Sequence, residues 1–321
     1  MAINKIIFWA SDYSKKSGEG KLARLFISNL RKRKKKIKKL KIIKSLFTKH
    51  DNKFNERFFS TWVHKYISSA YGIIKLWIFF ILGWRPCYLN YLPLWNFFIF
   101  LSLPPNTILG PITGTILKEK KFFLKNFLEQ ISIFIIKIRY KNTIFSNNFY
   151  QKIFKESYHN FILSDLVIKK FPKIKKYDFI FYIRSDYYKK DFFLQNLIHK
   201  LIKLNFKIVT IGDKINLPGI KNFGYCDNKK VSNIISSSKC AIGNKENLYS
   251  FFIQDCLKLN LIVFYNSKFK QYETFEFNNF YPILYNDEKR ALKEILKKMK
   301  TKVKPNFFKK IKFNDYFKNL T

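Results

Sequence analysis

The 321-residue sequence predicts an α/β protein with two domains. Short apolar runs alternate with longer segments of helical periodicity in both halves of the chain, an order that favours parallel sheets. The length is sufficient for two cores of ordinary size. A hydrophobic fraction of 47% and scattered Gly and Pro residues are typical of a globular chain and not of a disordered one.

The first half begins with a strand and a helix separated by glycines. Lys5–Ala10 is a short apolar run, and apolar residues from 22 to 30 recur at helical spacing. Between them, Gly18, Glu19 and Gly20 form a predicted loop whose N–H groups, at a helix start, suit an anion. A glycine turn between a strand and a helix commonly binds no ligand, so the anion-binding interpretation and the purely structural one both remain open. The other predicted elements are the strands Cys87–Tyr91, Thr107–Leu109 and Thr143–Ser146 and the helices Leu94–Leu103 and 121–139.

A polar, Lys-rich segment at 171–178 separates the second half from the first. The elements predicted after it are the strands Phe179–Ile183, Phe206–Ile211, Cys240–Ile242 and Leu261–Tyr265 and the helices Phe192–Leu204, Val231–Ser236 and Ser250–Leu259. We therefore predict two Rossmann-like domains, 1–168 and 169–321, joined by a linker near 165–177, with a final helix that packs either within the second domain or back on the first.

The formal net charge of +41 suggests an anionic partner, either nucleic acid or a lipid surface. A coding bias that enriches Lys, Asn, Ile and Phe together explains much of this charge. A nucleic-acid-binding protein is disfavoured, because the aromatic residues fall inside apolar periodic runs and not among basic residues on one face. We expect no nucleic-acid partner.

The run 31–39 carries eight basic residues among nine, and is interpreted either as a solvated face or as a patch that binds anionic lipid. The aromatic stretch Phe58–Leu103 suits the same membrane surface, but a buried helix core explains it equally well. Tyr71–Trp84 and Leu92–Leu103 are too short to span a bilayer. We expect a cytoplasmic protein that associates peripherally with the inner membrane.

Cysteine and histidine residues are scattered, so the sequence predicts neither a disulfide framework nor a metal site. No cofactor is expected beyond a co-substrate.

Polar residues of the second half follow predicted strands, where α/β sheets bind ligands. Arg184 ends one strand and Lys189 follows in the next turn, a cation pair that suits two phosphates. Ser250 is placed to cap a helix whose positive end also favours a phosphate. Glu246 lies in the loop before this helix, and Asp255 lies within it.

These residues fall in an ordered series of motifs. The series is Ile183-Arg184, Lys189, Ile211-Gly212-Asp213, Ile220-Lys221-Asn222-Phe223-Gly224, Glu246, and Asp255 to Asn260 followed by a strand. It resembles the donor-binding half of GT-B glycosyltransferases, especially the retaining family 4 group. The family has Gly before the Arg and Gly at the position of Asn260. Its second acid follows the first by eight residues, where this chain has Gln254, and Asp255 follows by nine.

Other segments are similar to a sub-group of bacterial surface-glycan transferases. They are the E-N-x-Y-S-F-F run from Glu246 to Phe252, the loop Gly18-Glu19-Gly20, and the stretch from Asn90 to Gly114. The resemblance therefore spans most of the chain and implies two Rossmann-like domains that face a cleft.

The resemblance also implies roles. Arg184, Lys189 and the helix start at Ser250 would hold the donor diphosphate, and Glu246 and Asp255 would contact the sugar or the ribose. Asn247, Gly224 and Gln254 would complete the donor site. Gly18, Glu19, Gly20 and Gly114 would line the phosphate or acceptor side. The implied activity is sugar transfer from a nucleotide-sugar donor to a glycan or lipid-linked acceptor, in lipopolysaccharide, O-antigen or capsule synthesis.

Two features qualify the chemistry. The sequence has no D-x-D pair, which favours the metal-independent GT-B class. A His that the family often carries near Thr113-Gly114 is absent, so no general base is identified, and His64 and Glu19 are the remaining candidates. A GT-B-like binding subunit without turnover therefore stays an alternative.

Overall fold

The computed structural model describes residues 5–10, 18–32, 39–43, 62–113, 123–145, 150, 153–154, 158–160, 175–184, 191–243, 248, 250–272, 277–301 and 303. The described residues divide into two units: unit 1 comprises those up to 160, and unit 2 those from 175 onward. The predicted linker at 165–177 lies outside the described residues except for 175–177.

Unit 1 is built on a six-stranded parallel sheet in the order β2-β1-β3-β4-β5-β6. Its strands are β1 Lys5–Ala10, β2 Lys39–Ile43, β3 Arg85–Pro93, β4 Ile108–Thr113, β5 Thr143–Phe145 and β6 Tyr158–Asn160. Its described helices are α1 Gly18–Lys32, α2 Trp62–Ile81, α3 Phe97–Ser102 and α4 Phe123–Arg139.

Unit 2 is built on a second six-stranded parallel sheet, in the order β12-β11-β10-β7-β8-β9. Its strands are β7 Tyr177–Ile183, β8 Ile208–Gly212, β9 Ile220–Asn222, β10 Ser238–Ile242, β11 Ile262–Asn266 and β12 Phe280–Ile283. Its described helices are α5 Phe192–Lys203, α6 Asn228–Ser236, α7 Phe251–Lys258 and α8 Glu288–Met299, with a 3-10 segment at Ser267–Tyr272. Counted from its first strand, this order is 3-2-1-4-5-6, the Rossmann arrangement.

The helices of unit 2 begin at polar caps that the sequence supplies. Asp191, Asp227, Ser250 and Asp287 each accept a hydrogen bond from the backbone N–H three residues later. Such a bond satisfies an amide that the helix itself leaves unpaired, and each cap contributes about 1 kcal/mol. The prediction that Ser250 caps a helix is confirmed.

Each sheet is covered by apolar side chains on both faces, as expected for parallel strands between helices. Every residue of β8 and of β11 is buried. In unit 1, α2 lies directly on β1, because a Cβ atom at Gly72 would be only 2.3 Å from the Trp9 ring. Glycine at this position therefore sets the close approach of helix and sheet.

The structure contains elements that the sequence patterns did not predict. These are β2, β6, β9, β12 and α8, whereas α2 lies within the stretch Phe58–Leu103, for which a buried helix core was one of the two interpretations. Strands β2, β9 and β12 are edge strands. β2 and β9 contain Lys residues, and β12 contains a Pro, which is typical of edge strands, so none has the pattern of a central strand. The predicted glycine loop is wrong: Gly18, Glu19 and Gly20 are the first residues of α1.

Candidate functional site

The candidate site lies at the carboxyl edge of the unit 2 sheet, between β7 and β10. These strands are neighbours, and the chain leaves them toward opposite sides of the sheet. Open parallel sheets bind ligands at this switch point, because the diverging loops leave a crevice there. The residues that follow the two strands are Arg184 and Gly243.

Arg184 is exposed and directly follows β7. Two positions before it, the Tyr182 ring lies 6.0 Å, centroid to centroid, from the ring of Phe252 in the first turn of α7. This contact joins the strand end that carries the guanidinium to the helix start capped by Ser250. The Ser250 hydroxyl oxygen accepts the Ile253 N–H at 3.3 Å. Because α7 follows β10 along the chain, the positive, amino-terminal end of α7 lies on the carboxyl side of the sheet.

The backbone at the end of β10 is held from two sides. The Gly243 N–H donates to the Phe264 carbonyl oxygen at 2.8 Å, and the Tyr285 hydroxyl donates to the Gly243 carbonyl oxygen. Tyr285 is itself stacked on Phe193, with ring centroids 4.4 Å apart. The point from which the chain departs toward α7 is therefore fixed by β11, by α5 and by the segment after β12.

The end of β8 lies beside Arg184. Gly212 has φ +96°, and a Cβ atom there would be 2.2 Å from the Ile183 carbonyl oxygen, which also accepts the Asp213 N–H at 2.9 Å. The Gly212 N–H in turn donates to the carbonyl oxygen of Gly224, a residue with φ +65°. The predicted donor residues Arg184 and Gly224 are therefore brought together, with Asp213 between them.

Tyr225, which the sequence analysis did not identify, lies near the charged residues Asp213 and Arg184 at the carboxyl edge of the unit 2 sheet. Its hydroxyl donates to the Asp213 carboxylate, and Tyr182 and Arg184 act on it electrostatically. Burial raises the pKa of Tyr225 above its usual range, the hydrogen bond to Asp213 raises it further, and Arg184 opposes the rise. The signal available in the sequence was the position of Tyr225 directly after Gly224.

A pH dependence of stability follows from the raised pKa. The folded protein holds the Tyr225 proton more tightly than the unfolded protein does. The contribution of protonated Tyr225 to the free energy of unfolding is therefore fully present below about pH 10 and is lost as the pH rises further. We expect the urea midpoint to fall more steeply above about pH 10 in the wild-type protein than in Tyr225→Phe. Equal slopes in the two proteins would contradict this assignment.

The acid predicted within the helix is buried. Asp255 and Gln254 lie in the second turn of α7 with 7% and 6% of their surface exposed, and Lys258, three positions on, is 2% exposed. Asn260, two residues after the end of this helix, has φ +53°, in the left-handed region that Asn tolerates better than most residues other than Gly.

Several predicted site residues lie outside the described residues: Lys189, Glu246, Asn247 and Gly114. Gly18, Glu19 and Gly20 belong to unit 1, in the first turn of α1. Within the described ranges there is no group of three His, Cys, Asp or Glu residues that would hold a metal ion.

Comparison with known proteins resolves the fold class. No protein-family model and no curated protein matches the chain. Among solved structures, Anabaena Alr3699/HepE in complex with UDP and glucose matches with a TM-score of 0.53 at 9% identity, over 92% of this chain and 90% of that one. The chain has the GT-B fold. The prediction of two Rossmann-like α/β domains is thereby confirmed.

Two further solved structures match less well. The spinosyn forosaminyltransferase SpnP has a TM-score of 0.44 at 9% identity, over 91% of this chain and 90% of that one. The glycotransferase of kitacinnamycin has a TM-score of 0.40 at 6% identity, over 93% of this chain and 91% of that one. In the GT-B fold of this chain, the described residues of the predicted donor site, Arg184, Gly224, Ser250, Gln254 and Asp255, belong to the second Rossmann-like domain.

Proposed function

We propose that this protein is a glycosyltransferase that takes its sugar from a nucleoside diphosphate sugar. The proposal rests on one contact at the switch point between β7 and β10. There the Tyr182 ring, two residues before Arg184, packs against the Phe252 ring in the first turn of α7, so the guanidinium and the amino-terminal end of the helix lie on the same side of the sheet. A guanidinium and a helix dipole together stabilise the negative charge that develops on a departing diphosphate.

The proposed donor is a UDP-sugar. HepE, which matches with a TM-score of 0.53, was crystallised in complex with UDP and glucose, which makes UDP the first nucleotide to test. Arg184 and Lys189 would bind the diphosphate, and Glu246 and Asp255 would contact the sugar or the ribose. We propose that transfer needs neither metal nor cofactor, because the sequence has no D-x-D pair and cations can stabilise the leaving group.

The finer proposal is a retaining, family 4-like enzyme of bacterial envelope synthesis. The resemblance of Glu246–Phe252 to surface-glycan transferases supports a lipid-linked or surface-glycan acceptor and a role in lipopolysaccharide, O-antigen or capsule synthesis. The basic run 31–39 supports an anionic membrane as a partner.

Binding of nucleotides by the purified chain tests the proposal. Isothermal titration with UDP, GDP, ADP and CMP, followed by the sugars of whichever nucleotide binds, should reveal one preferred nucleoside diphosphate, and CMP, a monophosphate, should bind more weakly. Failure of all three diphosphates to bind, with folded protein confirmed by circular dichroism, would overturn the donor-site assignment.

A binding subunit without turnover is the second candidate. It is favoured by the burial of Asp255 and by the missing His near Thr113. Transfer or hydrolysis of a radiolabelled nucleotide sugar separates the two candidates, because a binding subunit retains the nucleotide and releases no labelled sugar.

Ser250 allows the structural and ligand roles of the helix start to be separated. Ser250→Asp retains a good cap, so the free energy of unfolding should change by less than about 0.5 kcal/mol. The added carboxylate should repel a diphosphate and weaken UDP binding about tenfold. The matched variant Ser250→Ala should show the opposite pattern, a loss of about 1 kcal/mol in stability with nearly unchanged affinity. Urea unfolding and UDP titration on both variants check the prediction, and equal UDP affinity in the Asp variant would contradict it.

A further inference from the structure

Three helices of unit 1 cover one face of its sheet. The connections β2→β3, β3→β4 and β4→β5 all run in the same direction across the sheet, so right-handed crossovers place α2, α3 and α4 on the same side. Their inner side chains share one core: Leu76 from α2, Phe100 from α3 and Ile136 from α4 pack in a cluster with Trp9 and Tyr88. Their outer faces therefore form one layer.

The outer face of α2 is apolar. Ile67, Ile74, Ile78 and Ile81 lie on one stripe of the helix with 45%, 59%, 45% and 78% of their surface exposed. The opposite stripe, which includes Leu76, is buried against the sheet. A helix at the surface of a water-soluble domain normally turns polar residues outward, and α2 does not.

The same pattern continues over α3 and α4. Together with the four isoleucines of α2, the exposed side chains form what we call the outer apolar surface: Phe98, Leu101, Phe123, Leu124, Phe127, Phe134 and Ile138. Hydrogen bonds join the helices that carry it. The Trp77 indole N–H donates to the Ser102 carbonyl oxygen at 2.7 Å, and Arg139 Nη2 donates to the Leu103 carbonyl oxygen at 2.9 Å. Apolar patches of this extent mark interaction surfaces.

The charge around the outer apolar surface selects its partner. The three helices contain a single acidic residue, Glu129, and its side chain is buried. The basic residues on α4 or directly after it include Lys125, Lys137 and Lys141, the last two exposed. An apolar stripe flanked by cations and free of exposed acids complements the interface of an anionic bilayer.

We propose that the outer apolar surface docks unit 1 onto an anionic lipid bilayer, with α2, α3 and α4 lying in the plane of the interface. No described helix is both long and apolar enough to cross a bilayer. The fit of Gly72 against Trp9 holds α2 on the sheet, so only its outer face is available to lipid. The inference deepens the membrane partnership of the proposed function and names the surface that makes the contact.

Vesicle flotation tests this surface directly. The full chain is mixed with vesicles of phosphatidylcholine and phosphatidylglycerol in equal parts, and the floated fraction is measured over a series of lipid concentrations. The variants are Ile74→Gln/Ile78→Gln on α2 and Phe127→Gln/Phe134→Gln on α4. The matched control, Leu204→Gln/Val303→Gln, makes the same chemical change at exposed apolar residues of unit 2. Because all six side chains are exposed, circular dichroism should show unchanged folding.

Each unit 1 pair should weaken vesicle binding about tenfold, since two large apolar side chains lose their burial in lipid. The control pair should bind as the wild-type protein does. Wild-type binding by both unit 1 pairs would overturn the proposal. It would also be overturned if the wild-type chain does not float but forms a dimer that the α2 pair dissociates, because a second copy would then occupy the surface. UDP titration on the same variants reports on unit 2 alone, so a failed donor site and a failed membrane site are distinguishable.

Discussion

Arg184→Ala is expected to lower kcat/KM for a UDP-sugar by about a hundredfold or more, comparable to removing one preorganised donor at a developing negative charge. Arg184 directly follows the central strand β7, on the side of the sheet where α7 begins. Because Arg184 is exposed, its removal leaves no cavity in the core and should not disturb the fold. The melting temperature should therefore stay close to that of the wild-type protein. Steady-state transfer assays and a thermal melt measure the two quantities.

A matched control tests whether the fall in kcat/KM comes from the position of Arg184 or from the loss of any one positive charge. Arg290 is exposed on α8, and Arg290→Ala removes the same charge from the same unit. Its kcat/KM should stay within about twofold of wild type, because Arg290 is not one of the residues assigned to the diphosphate and the field of a single exposed charge is weakened by salt. Unchanged activity in Arg184→Ala would remove the diphosphate assignment.

Gly212→Ala is expected to lower the free energy of unfolding by about 3 kcal/mol. Left-handed backbone costs an L-residue about 1–2 kcal/mol, and forcing a side chain into packed structure costs about 1–3 kcal/mol more. Here the new Cβ atom would meet the Ile183 carbonyl oxygen at 2.2 Å, and a backbone atom of a central strand cannot move aside easily. UDP binding should weaken as well, because the same shift displaces Asp213 and Arg184.

Gly219→Ala is the matched control for this prediction. Gly219 belongs to the same unit and has φ +83°, but a Cβ atom there would meet only the Ile202 methyl group at 3.4 Å. This variant should lose about 1–2 kcal/mol, from the backbone conformation alone. Urea unfolding of both variants gives the comparison, and equal losses would show that the contact with Ile183 is not what restricts position 212.

The sequence by itself predicted the fold class, because parallel strands that lie between layers of helices consist of consecutive apolar residues. Central strands such as β8 and β11 are buried on both faces, so every residue in them is selected for burial and the run is continuous. The caps of unit 2 are also readable locally, because a cap and its helix are separated by only three residues. The GT-B fold confirms this level of prediction.

Edge strands and the glycine segment could not be read in this way. β9 has only three residues, none of them buried, and β2 alternates Lys with apolar residues, so neither differs from a loop in composition. At Gly18–Gly20 the glycines indicated a loop, but the structure begins α1 there. Glycine lowers helix propensity by only about 1 kcal/mol, which the packing of an amphipathic helix on a sheet overrides.

The site was only partly visible in the sequence. Arg184, Gly224 and Ser250 were identified from their motif positions, and Asn260 was identified as a departure from a family Gly. Tyr225 and Tyr285 act through partners far along the chain, at Asp213 and Gly243, and such pairs exist only once strands from distant segments lie side by side.

Local pattern alone thus indicated the central strands, several of the helices and the Ser250 cap, because burial and capping constrain the residue types within a few positions. Only the tertiary structure decided which strand ends meet at the switch point and that the apolar stripes of α2, α3 and α4 share one outer face. Apolar residues at helical spacing predict that a helix has a face to cover, but which stripe the sheet covers depends on crossover direction and on close contacts such as that of Gly72 with Trp9.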